Sequence, residues 1–299
     1  MKVSVIIVSY NFEQWIDRCL GSLRRSTFPV SVIVVDNGSK DNTTQIIERK
    51  HPEVHLIKTG VNLGFGKANN IGIRCAMERG ADYFFLLNQD AWISEKTIKT
   101  LLGLFEEHPK YGILSPTHLN GKGDKLDFGF STYSGMNEKE EFLTMQKNHE
   151  VVTLKFINAA FWMISVQTIK KVGGFSPLFY HYGEDIDYIN RLHYHGLQLG
   201  YSPRVFGYHD RESREVSRAG FLRSERVYLL SEYANINYTF TKAFGYGVLA
   251  GIKKAIQALA KGKIANCFAF INISFGLLWK TKQIVHIRNK NKKEALNYI

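Results

Sequence analysis

The sequence predicts a doubly wound, mostly parallel α/β sheet followed by a helical appendage. Apolar, β-branched runs alternate with helical patterns four times within about the first 90 residues, which is typical of parallel βαβ units. The run from Tyr83 to Leu87 is continuously apolar, as in a strand buried on both faces of such a sheet. Past Asp210, long helical patterns occur without strands. The chain is therefore predicted to divide near residue 215 into a Rossmann-like body and a C-terminal helical region.

The expected elements follow the hydrophobic periodicity in chain order. Strands are predicted over 3–8, 31–36, 54–58, 83–90, 112–115, 151–158, 197–201 and 205–208, with a further apolar segment at 159–165. Helices are predicted around 12–23, after Asp41 or Asn42, from the loop 62–69, and over 94–107, 166–172 and 184–196. Residues 119–150, rich in Gly, Lys, Glu and Asn, are expected to form a long irregular excursion of the kind that covers a site or is partly mobile.

The basic residues are concentrated at the C-terminal end. The 299-residue chain has a net charge of +12, and +10 of it arises from Tyr233 onward, where 11 Lys or Arg accompany a single acid, Glu294. A nucleic-acid-binding body would carry its own basic face, so no nucleic-acid partner is expected. The N-terminus indicates a strand rather than a signal peptide, and the apolar stretch 264–279 is too short for a membrane-spanning helix. Three widely spaced cysteines predict free thiols.

Polar and acidic residues follow several predicted strands at their carboxyl ends or begin a later helix. They are Asp36, Asn88, Asp90, the segment Glu184-Asp-Ile-Asp187 and His209. In open α/β sheets ligands bind in the crevice outside the carboxyl ends of the strands, so we expect these side chains to meet in one site. Structural alternatives exist for three of them: Asp90 as a helix cap, Asp36 as an Asx-turn residue, and His209 as a strand-end histidine.

With their flanking residues, these positions resemble the inverting GT-A glycosyltransferases of family 2. The matching blocks are Val5-Ile-Ile-Val-Ser-Tyr-Asn11, Val34-Val-Asp-Asn-Gly-Ser39, Asn62-Leu-Gly-Phe-Gly with Asn69, Leu87-Asn-Gln-Asp90, and Gly183-Glu-Asp-Ile-Asp187 followed by Arg191. The resemblance covers residues 2–210, and the third and fourth blocks, Asn-Leu-Gly-Phe-Gly and Leu-Asn-Gln-Asp, are most similar to rhamnosyltransferase-type members. The resemblance implies a GT-A catalytic domain over 1–215, with nucleotide-sugar binding in 1–118 and the acceptor and base region in 150–215. Residues 216–299 would be a basic, mainly helical region.

The resemblance implies donor-binding roles for Ser9, Asn11, Asp36, Asn62, Gly64, Asn69 and Asn88. Asp36 would accept a hydrogen bond from the N3–H of uracil or thymine, so the expected donor is a UDP- or dTDP-sugar, with dTDP-rhamnose as one candidate. A Mg²⁺ or Mn²⁺ ion is expected at Asp90 and His209, where it would stabilise the leaving diphosphate. The family's usual Asp-x-Asp motif has Asn88 at its first position here, which leaves Asp90 as the principal carboxylate ligand.

The catalytic and acceptor-side roles fall on one helix. Asp185 is implied as the general base that takes the proton of the acceptor hydroxyl as this attacks the anomeric carbon with inversion. Asp187 and Arg191, four residues apart, are expected to form a supporting ion pair. Glu184 would be stabilised by the helix N-terminus and contact the acceptor. The expected acceptor is a saccharide or lipid-linked saccharide in cell-surface polysaccharide synthesis.

Other functions share parts of this pattern. A dinucleotide-binding dehydrogenase would have GxGxxG after the first strand, where Ser9-Tyr-Asn-Phe12 stands instead. A nucleotidyltransferase shares the frame and usually has a Gly-rich phosphate loop at the same place. A non-catalytic nucleotide-sugar or carbohydrate-binding scaffold of this fold would be favoured if the donor did not bind.

The C-terminal region carries apolar stripes bordered by basic residues. One stripe contains Val248, Leu249, Ile252, Ile256 and Leu259, flanked by Lys253, Lys254, Lys261 and Lys263. The segment 264–279 is followed by Lys280, Lys282, Arg288, Lys290, Lys292 and Lys293. These features predict that residues 245–293 dock on an anionic membrane surface, so the protein would be cytoplasmic and peripheral on the inner face of the cell membrane. The alternative is a helical subdomain packed on the catalytic domain, with a solvated basic tail.

Overall fold

The computed structural model describes residues 1–136, 150–211 and 217–299, and in this part of the chain nine strands form one sheet. The strands are β1 (Val3–Ser9), β2 (Ser31–Asp36), β3 (His55–Lys58), β4 (Tyr83–Asn88), β5 (Ala91–Ile93), β6 (Tyr111–Asn120), β7 (Val152–Leu154), β8 (Phe161–Ser165) and β9 (Gln198–His209). Their order is β3-β2-β1-β4-β8-β6-β9-β5, and β7 pairs with β9. Only β5, β7 and β8 run against the others. The predicted α/β class with a mostly parallel sheet is confirmed.

The helices cover both faces of the sheet and then continue beyond it. In the described residues they are α1 (Ile16–Arg24), α2 (Thr43–Lys50), α3 (Phe65–Glu78), α4 (Thr97–Glu107), α5 (Phe128–Ser134), α6 (Val166–Val172), α7 (Glu184–Tyr194), α8 (Arg218–Ala234), α9 (Phe240–Phe244), α10 (Ala250–Ala260), α11 (Ile264–Trp279) and α12 (Thr281–Asn291), with a π-helical turn at Gly245–Leu249. Successive residues of β1 face opposite sides, so Val5 and Ile7 join the core under α1 and α4, whereas Ile6 joins the core under α3 and α7.

The direction of β8 was not predictable from its composition. The sequence indicates only an apolar segment at 159–165, but Phe161–Ser165 pairs antiparallel with both β4 and β6. A short buried apolar run satisfies either direction equally well, so the run itself does not encode which way the strand points. The consequence is a break between two parallel blocks, β3-β2-β1-β4 and β6-β9.

Several predicted boundaries are wrong by a few residues or more. The strand predicted at 112–115 extends over Tyr111–Asn120, and those predicted at 197–201 and 205–208 are one strand, β9. Strands β6 and β9 pair along their length, with a bulge between Pro116 and Thr117. The bulge accommodates the interruption at Pro203, so β9 continues past it. The strand predicted at 151–158 is only Val152–Leu154, β5 was not predicted, and α4 begins at Thr97 rather than Ser94.

The predicted excursion at 119–150 and the predicted domain boundary at 215/216 can be followed only in part. α5 lies within the excursion, residues 137–149 lie outside the described residues, and so do 212–216. The division into a catalytic domain and a C-terminal region therefore stays a prediction. On either side of the gap the architecture does change, from strands and helices before 211 to helices alone among the described residues after 217.

The C-terminal helices pack on the α/β body through one apolar cluster. Leu229 and Tyr233 of α8 and Ile284 of α12 meet Leu178 and Phe179 of the body. Arg288, predicted to be part of the basic surface, is instead buried, and its guanidinium donates to the carbonyl oxygens of Tyr233, Asn235 and Tyr238. The last turn of α8 and the residues after it supply these acceptors, so the arginine closes the end of that helix.

The final residues return to the body, although Lys290, Lys292 and Lys293 are exposed to solvent, as the alternative prediction expects of a basic tail. The Asn297 carbonyl oxygen accepts a hydrogen bond from Gly174 N at 2.7 Å, and Lys171 lies 3.5 Å from Glu294. Ile299 packs against the core beneath α3 and α7. His195, just after α7, forms a 3.0 Å hydrogen bond with the Asn291 carbonyl oxygen. The helical region is thus attached to the body at both of its ends.

No single helix of the described residues is long and apolar enough to cross a bilayer. The pair Ile264–Trp279 and Thr281–Asn291, bent by 59°, meets the length and composition requirement only when the two helices are taken together.

Candidate active site

A network of polar side chains surrounds Asp36 at the carboxyl ends of β1 and β2. The strand register pairs Ser9 with Asp36, and the Ser9 hydroxyl donates to Asp36 Oδ1 at 3.2 Å. Ser39 donates to the same carboxylate through its backbone N–H, at 3.2 Å from Oδ2, and through its hydroxyl. Asp36 is 4% exposed. These bonds hold the carboxylate in one orientation, and the Ser39 N–H contact is also the local turn bond of the structural alternative.

The neighbouring loops are tied together by asparagines. Asn11, at φ 55°, donates from its N–H to Ser39 Oγ at 3.0 Å. Asn62 Oδ1 accepts from Asn37 Nδ2 at 3.1 Å and from Gly64 N at 3.0 Å. Gly64 has φ 83°, and a Cβ there would collide with the carbonyl oxygen of Tyr180. The structure therefore brings Ser9, Asn11, Asp36, Asn62 and Gly64 to one edge of the sheet.

Asn69 is not brought to that edge. It is buried within α3, and its side-chain nitrogen donates to the Phe65 carbonyl oxygen at 3.0 Å. This contact stabilises the first turns of the helix, and a donor-binding role for Asn69 stays a prediction.

Asp90, Asn88 and His209 converge beyond the end of β4. The antiparallel pairing of β5 with β9 sets Ala91 opposite His209, which carries the imidazole toward the residue before Ala91. His209 Nε2 lies 3.3 Å from Asp90 Oδ1 and 3.5 Å from Asn88 Nδ2. The imidazole is buried, and its Nδ1 has no hydrogen-bond partner among the described residues. A carboxylate and an amide oxygen are ligand types that suit Mg²⁺ or Mn²⁺, and an imidazole is compatible with Mn²⁺, so these residues fit the expected ion.

An ion pair of Asp127 with Arg211 lies next to this histidine, and the sequence analysis did not identify either residue. Asp127 Oδ2 lies 3.8 Å from His209 Nδ1, and Arg211 binds both oxygens of Asp127, at 2.6 and 2.8 Å. Burial alone would raise the pKa of Asp127, but the hydrogen bonds and charge of Arg211 hold that pKa below its usual value. Asp127 also accepts from Phe130 N at 3.0 Å as the N-cap of α5. This N-cap pattern was the sequence signal that could have identified Asp127. It lies in the stretch 119–150, which was predicted to be irregular.

The predicted base lies in a cavity of about 460 Å³ at the start of α7. Its lining residues are Phe65, Asn88, Tyr133, Phe156, Asn158, Ala159, Ala160, His181, Tyr182, Gly183, Glu184, Asp185, Ile186, Arg211, Ser224, Val227 and Tyr228. Two consecutive left-handed residues, Tyr182 at φ 67° and Gly183 at φ 86°, turn the chain into the helix. The turn presents Asp185 in the same cavity as Asn88, so the base candidate and the end of β4 face one space.

Burial dominates the electrostatics of the two acids that begin α7. It raises the pKa of Asp185 to about 6, and burial together with the charge of Asp185 raises the pKa of Glu184 to about 7. Glu184 Oε2 is buried without a hydrogen-bond partner among the described residues. Burial outweighs the backbone hydrogen bond that lowers the pKa of Glu184, and the expected stabilisation of its anion by the helix N-terminus stays a prediction.

Asp187 and Arg191 form the predicted ion pair, with Arg191 Nε 2.8 Å from Asp187 Oδ2. Both are buried, and Arg191 also donates to the Val172 and Gly174 carbonyl oxygens at 2.8 and 2.9 Å. Neither lines the cavity. The pair fixes α7 to the end of α6, which supports the position of the acids at its first turn.

A second group of potential metal ligands lies elsewhere. Glu107, His108 and Glu150 have ligand atoms within 4.8 Å of one another. Arg204 already binds Glu150 at 2.7 Å, and the group lies away from the residues that line the cavity with Asp185. It is therefore not part of this candidate site.

Comparisons with known proteins agree with this architecture. The family model described as "Glycosyl transferase family 2" matches residues 4–173. The hexosyltransferase Agl10 of low-salt glycan biosynthesis in Haloferax volcanii is 26% identical over 230 residues, covering 76% of this chain and 72% of the relative. N-acetylglucosaminyl-diphospho-decaprenol L-rhamnosyltransferase of Mycobacterium tuberculosis is 27% identical over 223 residues, 67% of this chain and 73% of the relative. Rhamnosyltransferase WbbL of Escherichia coli is 24% identical over 247 residues, 77% and 91% respectively.

Among solved structures, residues 1–349 of Staphylococcus aureus TarS superpose with a TM-score of 0.56 and 16% identity, covering 95% of this chain and 92% of that chain. This chain spans 42% of a longer TarS structure. At such identity the likeness concerns the fold alone, and it agrees with the GT-A architecture expected from the sequence.

Proposed function

The chain belongs to glycosyltransferase family 2, and from this premise we propose that it transfers a sugar from a UDP- or dTDP-sugar to a hydroxyl of a saccharide or lipid-linked saccharide. The observation that carries the proposal is that Asn88, at the end of β4, and Asp185, at the start of α7, line one cavity. A donor held at the strand ends and an acceptor beside α7 would therefore meet there. Cell-surface polysaccharide synthesis is the process proposed for this activity.

On the donor side, Asp36 binds the N3–H of the base and excludes cytosine, which lacks that hydrogen. Ser9 and Ser39 keep the carboxylate in place through the bonds described above. The rhamnosyltransferases among the relatives support dTDP-rhamnose as a candidate donor, and the decaprenol diphosphate in the name of the mycobacterial relative supports a prenyl-diphosphate-linked acceptor.

On the acceptor side, Asp185 takes the proton of the attacking hydroxyl. A carboxyl with a pKa of about 6 is largely ionised at neutral pH and is a stronger base than an exposed aspartate, as positioned proton transfer requires. Because Asp185 would act from the face opposite the leaving nucleotide, one displacement inverts the anomeric centre. Glu184, next to it, retains a proton up to about pH 7 and is suited to donate a hydrogen bond to the acceptor.

Asp90 and His209, with the Asn88 amide, would hold Mg²⁺ or Mn²⁺, which supplies Lewis-acid stabilisation of the leaving diphosphate when bound. Asp127, bound by Arg211, lies 3.8 Å from the other ring nitrogen of His209. Replacing Asp90 by Asn should raise the Mn²⁺ concentration needed for half-maximal turnover, whereas replacing Asp17, an exposed acid of α1, should not.

The test of the donor proposal is a thermal-shift and calorimetric screen of UDP-, dTDP- and GDP-sugars, with and without Mn²⁺. Stabilisation by UDP- or dTDP-sugars, larger with Mn²⁺, is the expected result. Stabilisation by GDP-sugars alone would contradict the role of Asp36. Donor binding without turnover of any saccharide acceptor would favour the scaffold alternative.

We also propose that the protein docks on the inner face of the cell membrane through the hairpin of α10 and α11. These helices pack on each other through Ala255, Ala258, Cys267 and Phe270. The hairpin and the turn before it expose many large apolar side chains: Leu249, Ile252, Ile256, Leu259, Ile264, Phe268, Phe275, Leu278 and Trp279. Val248, predicted in the same stripe, is buried instead, and Lys254 pairs with Glu225 at 2.6 Å. Exposed Lys253 lies on α10, and exposed Lys261 and Lys263 lie in the turn between the two helices, a combination that suits anionic lipid binding.

Truncation is unsuitable as a test, because removing residues after 240 also removes the contacts of Asn297 and Ile299 with the body. Co-sedimentation with anionic and neutral vesicles at low and high salt should instead compare the full chain with Ile256→Glu/Phe275→Glu. The double variant should stay in the supernatant. The matched control is Phe128→Glu, which alters an exposed aromatic residue outside the hairpin. Equal sedimentation of all three proteins would contradict docking through the hairpin.

A further inference from the structure

A second cavity of about 460 Å³ lies beside the one that holds Asp185. One wall is the loop before α7, from Leu178 to Tyr182, and the other consists of α8 and Lys280. The two cavities share His181, Tyr182 and Val227 as lining residues. Helix α8 therefore borders both cavities, with one edge of the helix facing the candidate active site and the adjacent edge facing the second cavity.

The α8 edge that faces the second cavity is cationic. Arg223, Arg226 and Leu230 line it at helical spacing, so they project from one side of the helix. Lys280 contributes a third positive charge, and no Asp or Glu occurs among the described residues that line this space. Burial, followed by the positive charge of Arg223, lowers the pKa of His181, which agrees with a cationic environment at the shared wall. The charge pattern is that of an anion site.

The opposite wall is apolar and aromatic. Leu178 and Phe179 are buried, and Tyr180 and Tyr182 are exposed beside them. Two arginines and a lysine facing such a wall suit a ligand that has both an anionic group and a hydrocarbon part. Arginine binds phosphate oxygens through two parallel N–H groups, which gives the anionic end a defined position.

The surroundings indicate what such a ligand would do. Its anionic group would lie next to the cavity of Asp185, separated only by the shared residues. Lys280 directly follows Trp279, whose side chain is 92% exposed at the end of α11, where the apolar face of the hairpin ends. One molecule could thus extend from the exposed apolar face, past the cations, to the candidate base.

We propose that the second cavity binds the diphosphate of a prenyl-diphosphate-linked acceptor through Arg223, Arg226 and Lys280, and thereby directs the attached sugar toward Asp185. This inference rests on the proposed glycosyltransferase function and specifies its acceptor class. It assigns to α8 the positioning of the acceptor, a role separate from donor binding at the strand ends.

The experiment measures binding of farnesyl diphosphate, inorganic pyrophosphate and farnesol to the full chain by calorimetry. Farnesyl diphosphate should bind more tightly than either fragment, and Arg223→Ala/Arg226→Ala should weaken it by at least about tenfold because two charge-assisted hydrogen-bonding groups are lost. Arg223→Lys/Arg226→Lys should recover part of the affinity. Arg49→Ala removes an exposed arginine of α2 that lines neither cavity and should bind like the unaltered protein.

Equal affinity of the unaltered protein and the double alanine variant for farnesyl diphosphate would overturn the proposal. So would pyrophosphate binding as tight as that of farnesyl diphosphate, because the site would then take a free diphosphate rather than a lipid-linked one. UDP and dTDP binding, measured in parallel, separates the two levels of inference. If the unaltered protein bound neither UDP nor dTDP, the donor proposal would be contradicted. If it bound them but the arginine substitutions did not change farnesyl diphosphate binding, only the acceptor site would be contradicted.

Discussion

The two sides of the candidate site surround their buried carboxyl groups differently. On the donor side, Asp36 is buried but receives hydrogen bonds from Ser9 and Ser39. On the acceptor side, Glu184 and Asp185 are desolvated with few partners, and burial raises the pKa of both. A buried carboxylate surrounded by donors is suited to hold a ligand in place, whereas a poorly solvated one is suited to exchange a proton near neutral pH.

The first way to test this comparison is to remove the basicity of Asp185 alone. Asp185→Asn preserves shape but cannot accept the proton, so turnover should fall by about 10²–10⁴-fold. Donor affinity, measured by calorimetry, should change little, because the donor binds at the strand ends. A variant with near-normal kcat would place the base elsewhere.

A second test uses the one acid of α7 that is fully paired. Arg191→Met would leave Asp187 buried without its partner and should lower the free energy of unfolding by about 3–5 kcal/mol in urea titration. The control is Asp187→Leu/Arg191→Met, which removes both charges and should recover much of the loss. If the single and double variants were equally unstable, the lost arginine contacts to Val172 and Gly174, rather than the unpaired charge, would account for the effect.

A third test concerns the donor side. Asp36→Ala removes a charge-assisted hydrogen bond to the base and should weaken UDP or dTDP binding about tenfold or more. CDP, which lacks the N3–H, should bind both proteins equally weakly. Unchanged UDP affinity in the variant would leave Asp36 with only its turn role.

The smallest expected effect is on stability as a function of pH. The pKa of Glu184 rises from 4.5 to about 7 on folding, so the folded protein binds more protons than the unfolded chain between these values, and stability falls as pH rises through that window. Glu184→Gln removes this loss, so its Tm should exceed that of the unaltered protein by roughly 2–5 °C at pH 8 and by much less at pH 4. Parallel Tm curves for the two proteins would contradict the raised pKa.

The donor side was the more predictable of the two. Its residues lie at the ends of short strands, and in a parallel sheet the carboxyl ends of the strands meet at the edge where ligands bind. Ser9, Asp36 and Asn88 reach one edge through the pairing of β1 with β2 and β4. Asp127 and Arg211 could not be paired from sequence, since 84 residues separate them and no local pattern links them. The burial of Glu184 and Arg288 likewise depends on packing between distant segments, which a residue's own neighbours along the chain do not reveal.

Helix α7 illustrates the same limit. Its four-residue spacing predicted the ion pair of Asp187 with Arg191 correctly, because both partners lie on one element. The spacing could not reveal that Arg191 also binds carbonyl oxygens of Val172 and Gly174, nor that His195 binds Asn291. Contacts within an element follow from its geometry, and contacts between elements follow from the fold.

The attachment of the helical region at both of its ends restricts how it can move. A domain joined by one linker swings about a hinge, but here the segment from α8 to α12 is held at its start by Leu178 and Phe179 and at its end by the bond of Asn297 to Gly174. If the protein docks on a membrane through α10 and α11, this attachment would hold Asp185 at a fixed distance from the lipid surface. In that arrangement, only acceptor sugars at that distance from the lipid surface would reach Asp185.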